Sequence, residues 1–241
     1  MKTKTKKIIA CDLGVLLVLF LLCFANSFMG NPLSKFMAEK AVNKYIEREY
    51  SDISLEVDRV FYNFKTTSYN VIVKSPYSID TVFAVYCDSF GHIKHDDYEF
   101  EVENKMTTHR RLYMQIREYG EKLFSDKFTE YDVDMAFLAL HGEDFKENLE
   151  LDMIMDVHNP PQDLEAVVWV NEESLSFDKM AEIMLKTDQI CKNDNIPVAF
   201  YDIRLTNKDS NLWLYDIPAE ILNNEQEISA NLEKLYNKRN K

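Results

Sequence analysis

The chain opens on an apolar block with no internal period. Residues 8–30, IIACDLGVLLVLFLLCFANSFMG, hold one charged residue, Asp12, and follow the tail MKTKTKK with its Lys2, Lys4, Lys6 and Lys7. An apolar run close to the roughly 20 residues that cross a bilayer, entered from a basic flank, predicts a single-pass anchor. Its amino terminus is then cytoplasmic and the rest of the chain lies outside. Asp12 falls near the cytoplasmic end, where a carboxylate reaches the interface. The uninterrupted core over 13–25 is shorter, and Ala25-Asn26-Ser27 places small residues where a signal peptidase reads them. Secretion after cleavage near Ser27 is therefore the alternative to an uncleaved anchor.

Beyond the break at Asn31-Pro32 the pattern becomes helical. Leu33, Phe36, Met37, Ala41, Tyr45 and Tyr50 form one apolar face over 33–50, opposite Lys35, Glu39, Lys40, Lys44, Glu47 and Arg48. Alternation then predicts strands over 55–64 and 69–73, joined by the polar turn Lys65-Thr66-Thr67-Ser68. Residues 81–87 are apolar on both parities, as in a strand covered on both faces. Asp88 to Gly91 turn the chain toward Ile93 and Tyr98, which gives a meander. A second helix over 103–127 follows from Met106, Leu112, Ile116, Tyr119 and Leu123.

The second half repeats this vocabulary. Strands are predicted over 133–140, 151–157 and 166–170, and Ser176 caps a helix that stops near Asn195-Ile196-Pro197. Two more strands, 198–205 and 212–217, flank the turn Asn207-Lys208-Asp209-Ser210, and a helix over 224–237 closes the chain. The fold class read from this order is α+β: an amino-terminal transmembrane helix followed by two halves, 31–128 and 129–241. Each half pairs an antiparallel sheet with helices, and the boundary falls near Lys127 to Tyr131.

Composition adds a sizeable core and an acidic surface. Hydrophobic residues make up 46% of the 241 positions, so the part beyond the anchor is not a disordered linker. Residues 1–30 carry four Lys and one Asp, a balance of +3, which leaves −16 of the net −13 chain on residues 31–241. Such a surface lacks the clustered cations that nucleic acid requires and favours a protein or basic-peptide partner. Of the four cysteines, only Cys87 and Cys191 lie outside the apolar block, and without closely spaced pairs they read as buried thiols.

Candidate chemistry is sparse. His92-x-x-His95-Asp96-Asp97 is the densest set of metal-ligating side chains, so His92, His95, Asp96 and Asp97 are the metal candidates, although there is no HExxH and no paired-cysteine motif. His109 and His141-Gly142-Glu143-Asp144 are weaker candidates. No GxSxG elbow and no glycine-rich phosphate loop occurs, so no catalytic residue and no cofactor is expected. Asp132, Asp134, Asp152 and Asp156 read as exposed strand positions. Trp169 and Trp213 read as core or interface residues.

The order Asn31-Pro32, Tyr45-Ile46-Glu47, Tyr62-Asn63-Phe64-Lys65, Lys74-Ser75-Pro76 and Ser78-Ile79-Asp80-Thr81-Val82-Phe83 resembles the YfjL-like proteins of low-GC Gram-positive bacteria. The resemblance covers about 31–98 and extends more loosely to the final hairpin and helix. It implies a short membrane-anchored protein with an exported domain and no assigned activity. Thr66-Thr67-Ser68 stands where such proteins carry a glycine-containing turn. At the level of fold alone, the helix-plus-meander order is similar to cystatin and PepSY modules. The function expected is a membrane-anchored, non-enzymatic binding or regulatory module. The alternatives are a metal-dependent hydrolase using His92 and His95, and a structural subunit of a membrane complex.

Overall fold

The computed structural model describes residues 12–21, 24, 28–142, 146–224 and 227–239. Residues 12–21 are helical, and the large apolar side chains from Leu13 to Leu21 are each more than half exposed. Among the described residues no helix is long and apolar enough to cross a membrane. The expected span over 8–30 includes residues 8–11, 22–23 and 25–27, which lie outside the described residues, as do the four amino-terminal lysines and the Ala25-Asn26-Ser27 site.

The chain divides between Thr107 and Thr108 into two compact units. In the first, helix α1 (Pro32–Glu49) starts where the sequence places a stop and a cap together. Asn31 is extended and its side chain accepts from the Ser34 N–H at 2.7 Å, while Pro32, which has no N–H to leave unpaired, takes the first turn. Four strands follow as an antiparallel meander: β1 (Glu56–Asn63), β2 (Ser68–Lys74), β3 (Val82–Cys87) and β4 (Ile93–Asp96). Ala38, Val42 and Ile46 of α1 are buried, as are Tyr69, Val71 and Val73 of β2 and Phe83, Val85 and Cys87 of β3. The period of two puts those strand residues on one sheet face. Between β1 and β2, Thr67 takes the left-handed conformation at φ 51.

Gly30 joins the amino-terminal segment to this unit under close constraint. Its φ is +67, and a Cβ there would come within 2.8 Å of the Tyr62 side chain and 2.6 Å of the Tyr69 hydroxyl. That hydroxyl accepts from the Asn31 N–H at 2.7 Å.

The second unit begins with most of helix α2 (Met106–Phe124), preceded by the π-helical turn Glu99–Glu103. Its remaining elements are β5 (Asp132–Leu140), β6 (Leu164–Asn171), α3 (Phe177–Asn193), β7 (Val198–Thr206), β8 (Asn211–Pro218), a 3-10 turn at Ala219–Asn223, and α4 (Ile228–Arg239). The expected boundary near Lys127 to Tyr131 is thus displaced toward the amino terminus. Leu112, Ile116 and Phe124 of α2 belong to the core that holds Leu138, Val168, Met184 and Ile203, and that apolar burial assigns the helix to the second unit.

Two further expectations are corrected here. The second sheet, ordered β5-β6-β7-β8, is mixed, because β6 and β7 are parallel while both outer pairs are antiparallel. Helix α3 carries the chain back across the sheet before β7, as a parallel pair requires, so this half is not the antiparallel sheet expected. Nor is 151–157 a strand. Asp152 at φ 62 breaks the extended run, and the Met153 carbonyl accepts from Arg111 at 2.8 Å rather than from a ladder partner. Met153, Met155 and Val157 still pack on the core, which produced the alternation, while Ile154 is exposed.

Candidate functional site

The second sheet buries one face and leaves the other chemically mixed. Leu138, Leu140, Leu164, Ala166, Val168, Tyr201 and Ile203 face the helices. The register Ala139↔Glu165↔Phe200 and Phe137↔Val167↔Asp202 places Glu165, Phe200 and Asp202 on the opposite face. Here a charged residue stands in a row with apolar ones.

His141 follows directly on β5, and its N–H donates to the Asp163 carbonyl at 2.8 Å, continuing the ladder by one residue. Its ring stacks on Phe200 with centroids 3.8 Å apart and planes 19° from parallel. Nδ1 then lies 3.8 Å from Glu165 Oε2 and 3.7 Å from Asp216 Oδ1. Asp216 enters from β8 through an irregularity: the register shifts between Tyr201 and Ile203, and Asp216 itself is left-handed at φ 46. A bulge of this kind re-aims a side chain out of the regular alternation. Arg239 of α4 holds the distorted edge, donating to the carbonyls of Tyr215 and, at 3.1 Å, of Asp216.

The electrostatics of the group are those of crowded carboxylates. Burial pushes the Glu165 carboxyl above the usual carboxylate range, Asp202 and Asp216 push it further, and His141 opposes them. Burial also raises Asp202, against a bond of 2.6 Å from the Trp213 indole N–H. One nitrogen and two carboxylate oxygens, from His141, Glu165 and Asp216, lie within 4.8 Å of one another. Such a set could hold a divalent cation. Beside it, His141, Phe200, Gly142, Asn148, Gln162 and the Pro160-Pro161 turn line a hollow of about 570 Å³.

The four residues singled out in the sequence are distributed differently. Nδ1 of His92 lies 2.8 Å from the Asp88 carboxylate on an exposed turn. His95 stacks on Tyr86. Asp96 accepts from the hydroxyls of Tyr45, at 2.5 Å, and Tyr50, at 3.0 Å, and Asp97 accepts from Tyr86 at 2.6 Å. Both carboxylates therefore serve as internal acceptors. Among the described residues the only metal-ligating group of three is the His141 cluster. His109 is pushed toward its neutral form, by burial first and Arg110 second. Glu143 and Asp144 lie outside the described residues. Cys87 and Cys191 are free and buried, and burial pushes their thiols up to about 11 and about 12.

Glu165 and Asp216 escaped the sequence reading because each sits in an apolar strand far from His141. Only the ladder register and the bulge bring the three together, and neither leaves a motif of fixed spacing.

No curated protein and no solved structure matches the chain. The model of the YfjL-like N-terminal domain matches residues 5–107, and that of the YfjL-like C-terminal domain matches residues 115–232. The first match ends where the first unit ends. Two consecutive domain models thus account for nearly the whole sequence in the expected order, and the chain belongs to the YfjL-like family.

Proposed function

We propose that this chain is a non-enzymatic binding module held at the outer face of a cell membrane by residues 8–30. The observation that carries this reading is the helix over 12–21. Its apolar side chains point in every direction and remain exposed, Phe20 at 63% and Leu16 at 63% among them. A helix apolar on all sides needs an apolar surround, and a bilayer supplies one. An aromatic series continues from it toward the first unit: Phe20, Phe24, Phe28 and Phe64 follow one another with ring centroids 6.3, 5.0 and 6.0 Å apart. Aromatic rings gather at the boundary between lipid and water. The constrained Gly30-Asn31 junction keeps the tether short.

The partner is a protein segment rich in Lys and Arg. Residues 31–241 carry a formal charge of −16, reached from −13 for the chain by removing the +3 of residues 1–30. Opposite potentials speed encounter and select partners. Secretion after cleavage near Ser27 is the competing outcome for the segment.

The test compares the full chain with one starting at Asn31, both expressed in the cytoplasm of a host cell. The full chain stays in the membrane fraction after an alkaline carbonate wash, and the shortened chain is soluble. A full chain released by the wash contradicts the anchor. Titration of the full chain in detergent with an oligo-lysine peptide tests the partner chemistry: the reading requires saturable binding that weakens with salt, and absence of binding at low salt removes the charge argument.

A further inference from the structure

We propose that His141, Glu165 and Asp216 bind one divalent transition-metal ion, zinc or manganese, through Nδ1 of the imidazole and one oxygen from each carboxylate. The donor set selects the class of ion. Calcium and magnesium take oxygen ligands almost entirely, whereas imidazole suits zinc and its neighbours, and carboxylates suit manganese and zinc as well. The separations suit it too. Two ligand atoms about 2.1 Å from an ion stand roughly 3.4 Å apart across a tetrahedral angle. The observed 3.7 and 3.8 Å from Nδ1 to the two carboxylates need a few tenths of an ångström of closure, and all three donor atoms lie within 4.8 Å of one another.

The site is built rather than adventitious. Phe200 fixes the plane of the His141 ring, the bulge delivers Asp216, and Arg239 holds the bulge in place. The side chains of His141 and Glu165 are 21% and 16% exposed and that of Asp216 is 47% exposed, so two of the three ligands are largely withdrawn from solvent and the third opens to it. Three carboxylates, Glu165, Asp202 and Asp216, act on one another there, and a doubly charged ion would relieve that repulsion.

An independent observation lies on the wall of the adjoining hollow. Gln162 is 9% exposed and its Oε1 has no hydrogen-bond partner, although it lines the same hollow as His141. A buried acceptor left unpaired is destabilising. Three protein ligands leave at least one position on the ion for a water or a partner's group, on the side where Gln162 and His141 line the hollow together. This inference does not depend on the membrane tether or on the basic partner.

The experiment titrates the purified full chain in detergent with zinc chloride, and with manganese chloride in a second arm, after removal of metal by a chelator. One ion binds per chain. His141→Ala and Glu165→Gln each weaken binding at least about tenfold, whereas His92→Ala leaves it unchanged. Glu165→Gln keeps the shape of the side chain, and an unaltered circular dichroism spectrum shows that the variant is folded. The proposal is overturned if neither ion binds in the millimolar range, if both cluster variants bind as the parent does, or if the loss follows His92→Ala instead.

Discussion

The imidazole of His141 lies face to face with the ring of Phe200, 3.8 Å between centroids, although one residue follows the end of β5 and the other lies near the start of β7. Glu165 stands between them on β6, paired with Phe200 in the parallel ladder. The stack therefore sets the direction in which Nδ1 meets the two carboxylates. Phe200→Leu removes the aromatic face and no ligand atom. The expected result is a loss of about tenfold in zinc affinity, the lower end of the range seen when supporting groups around a metal are removed. Zinc titration of the folded variant checks it, and unchanged affinity would mean that the ring is only a packing neighbour.

Gly120 on α2 lies directly against Leu138 of β5. A Cβ at this position would press on the Leu138 backbone nitrogen and come within 2.9 Å of the Leu138 Cβ. Because the obstacle is backbone, it cannot rotate away. Gly120→Ala should cost at least about 2 kcal/mol, the scale of overpacking in a close-packed interior. Gly142→Ala, with no atom within 4 Å but a φ of +86, should cost nearer 1 kcal/mol. Denaturant unfolding of the two variants gives the order, and equal costs would place α2 farther from β5.

Thr67 occupies the left-handed region at φ 51, a conformation that a β-branched residue adopts at a penalty. Replacing it with Gly relieves about 1–2 kcal/mol of that penalty and returns about 0.5–1 kcal/mol as chain entropy in the unfolded state. Thr67→Gly should therefore raise the stability of the first unit by about 0.5–1 kcal/mol in denaturant unfolding. A destabilised variant would show that the left-handed conformation of Thr67 is not a source of strain.

Alkaline pH should weaken the first unit through its tyrosines. The hydrogen bond to Asp97, followed by burial, pushes the Tyr86 phenol up to about 12, from an ordinary value near 10. The folded state thus holds this proton more tightly than the unfolded chain does. Its contribution to stability is complete below pH of about 10 and is lost as pH rises through about 12. Asp97→Asn removes the negative charge and should bring Tyr86 back toward 10, seen as one phenolate appearing earlier in an absorbance titration. Identical titration curves for parent and variant would contradict the bond.

The sequence reading located these elements well wherever local chemistry decided them. Ser176 caps α3 as expected, because a cap acts on the next three residues, and α1 starts at the Asn31-Pro32 break, where Asn31 proves to be the cap. The hairpin around Thr66-Thr67 followed from alternation, and the strand ending at Cys87 from an unbroken apolar run. Nonlocal pairing is where the reading failed. Nothing in residues 164–171 announces that their partner in β7 runs parallel, and the alternation of Met153, Met155 and Val157 reports burial on the core without a ladder. The candidate site was illegible for the same reason. His92, Asp96 and Asp97 are close in sequence but spend their polar atoms on Asp88 and on tyrosines, and His95 stacks on Tyr86, whereas His141, Glu165 and Asp216 meet only through the sheet.

The central claim is that residues 8–30 tether two folded units to the outer face of a membrane. Protease added to cells whose outer layers have been made permeable while the anchoring membrane stays closed measures it most directly. The account predicts that the units are digested or shaved from whole cells, while the membrane retains a fragment carrying an epitope placed before Lys2. Units that are cut only after the membrane is broken, or a chain found entirely in the medium, would contradict it.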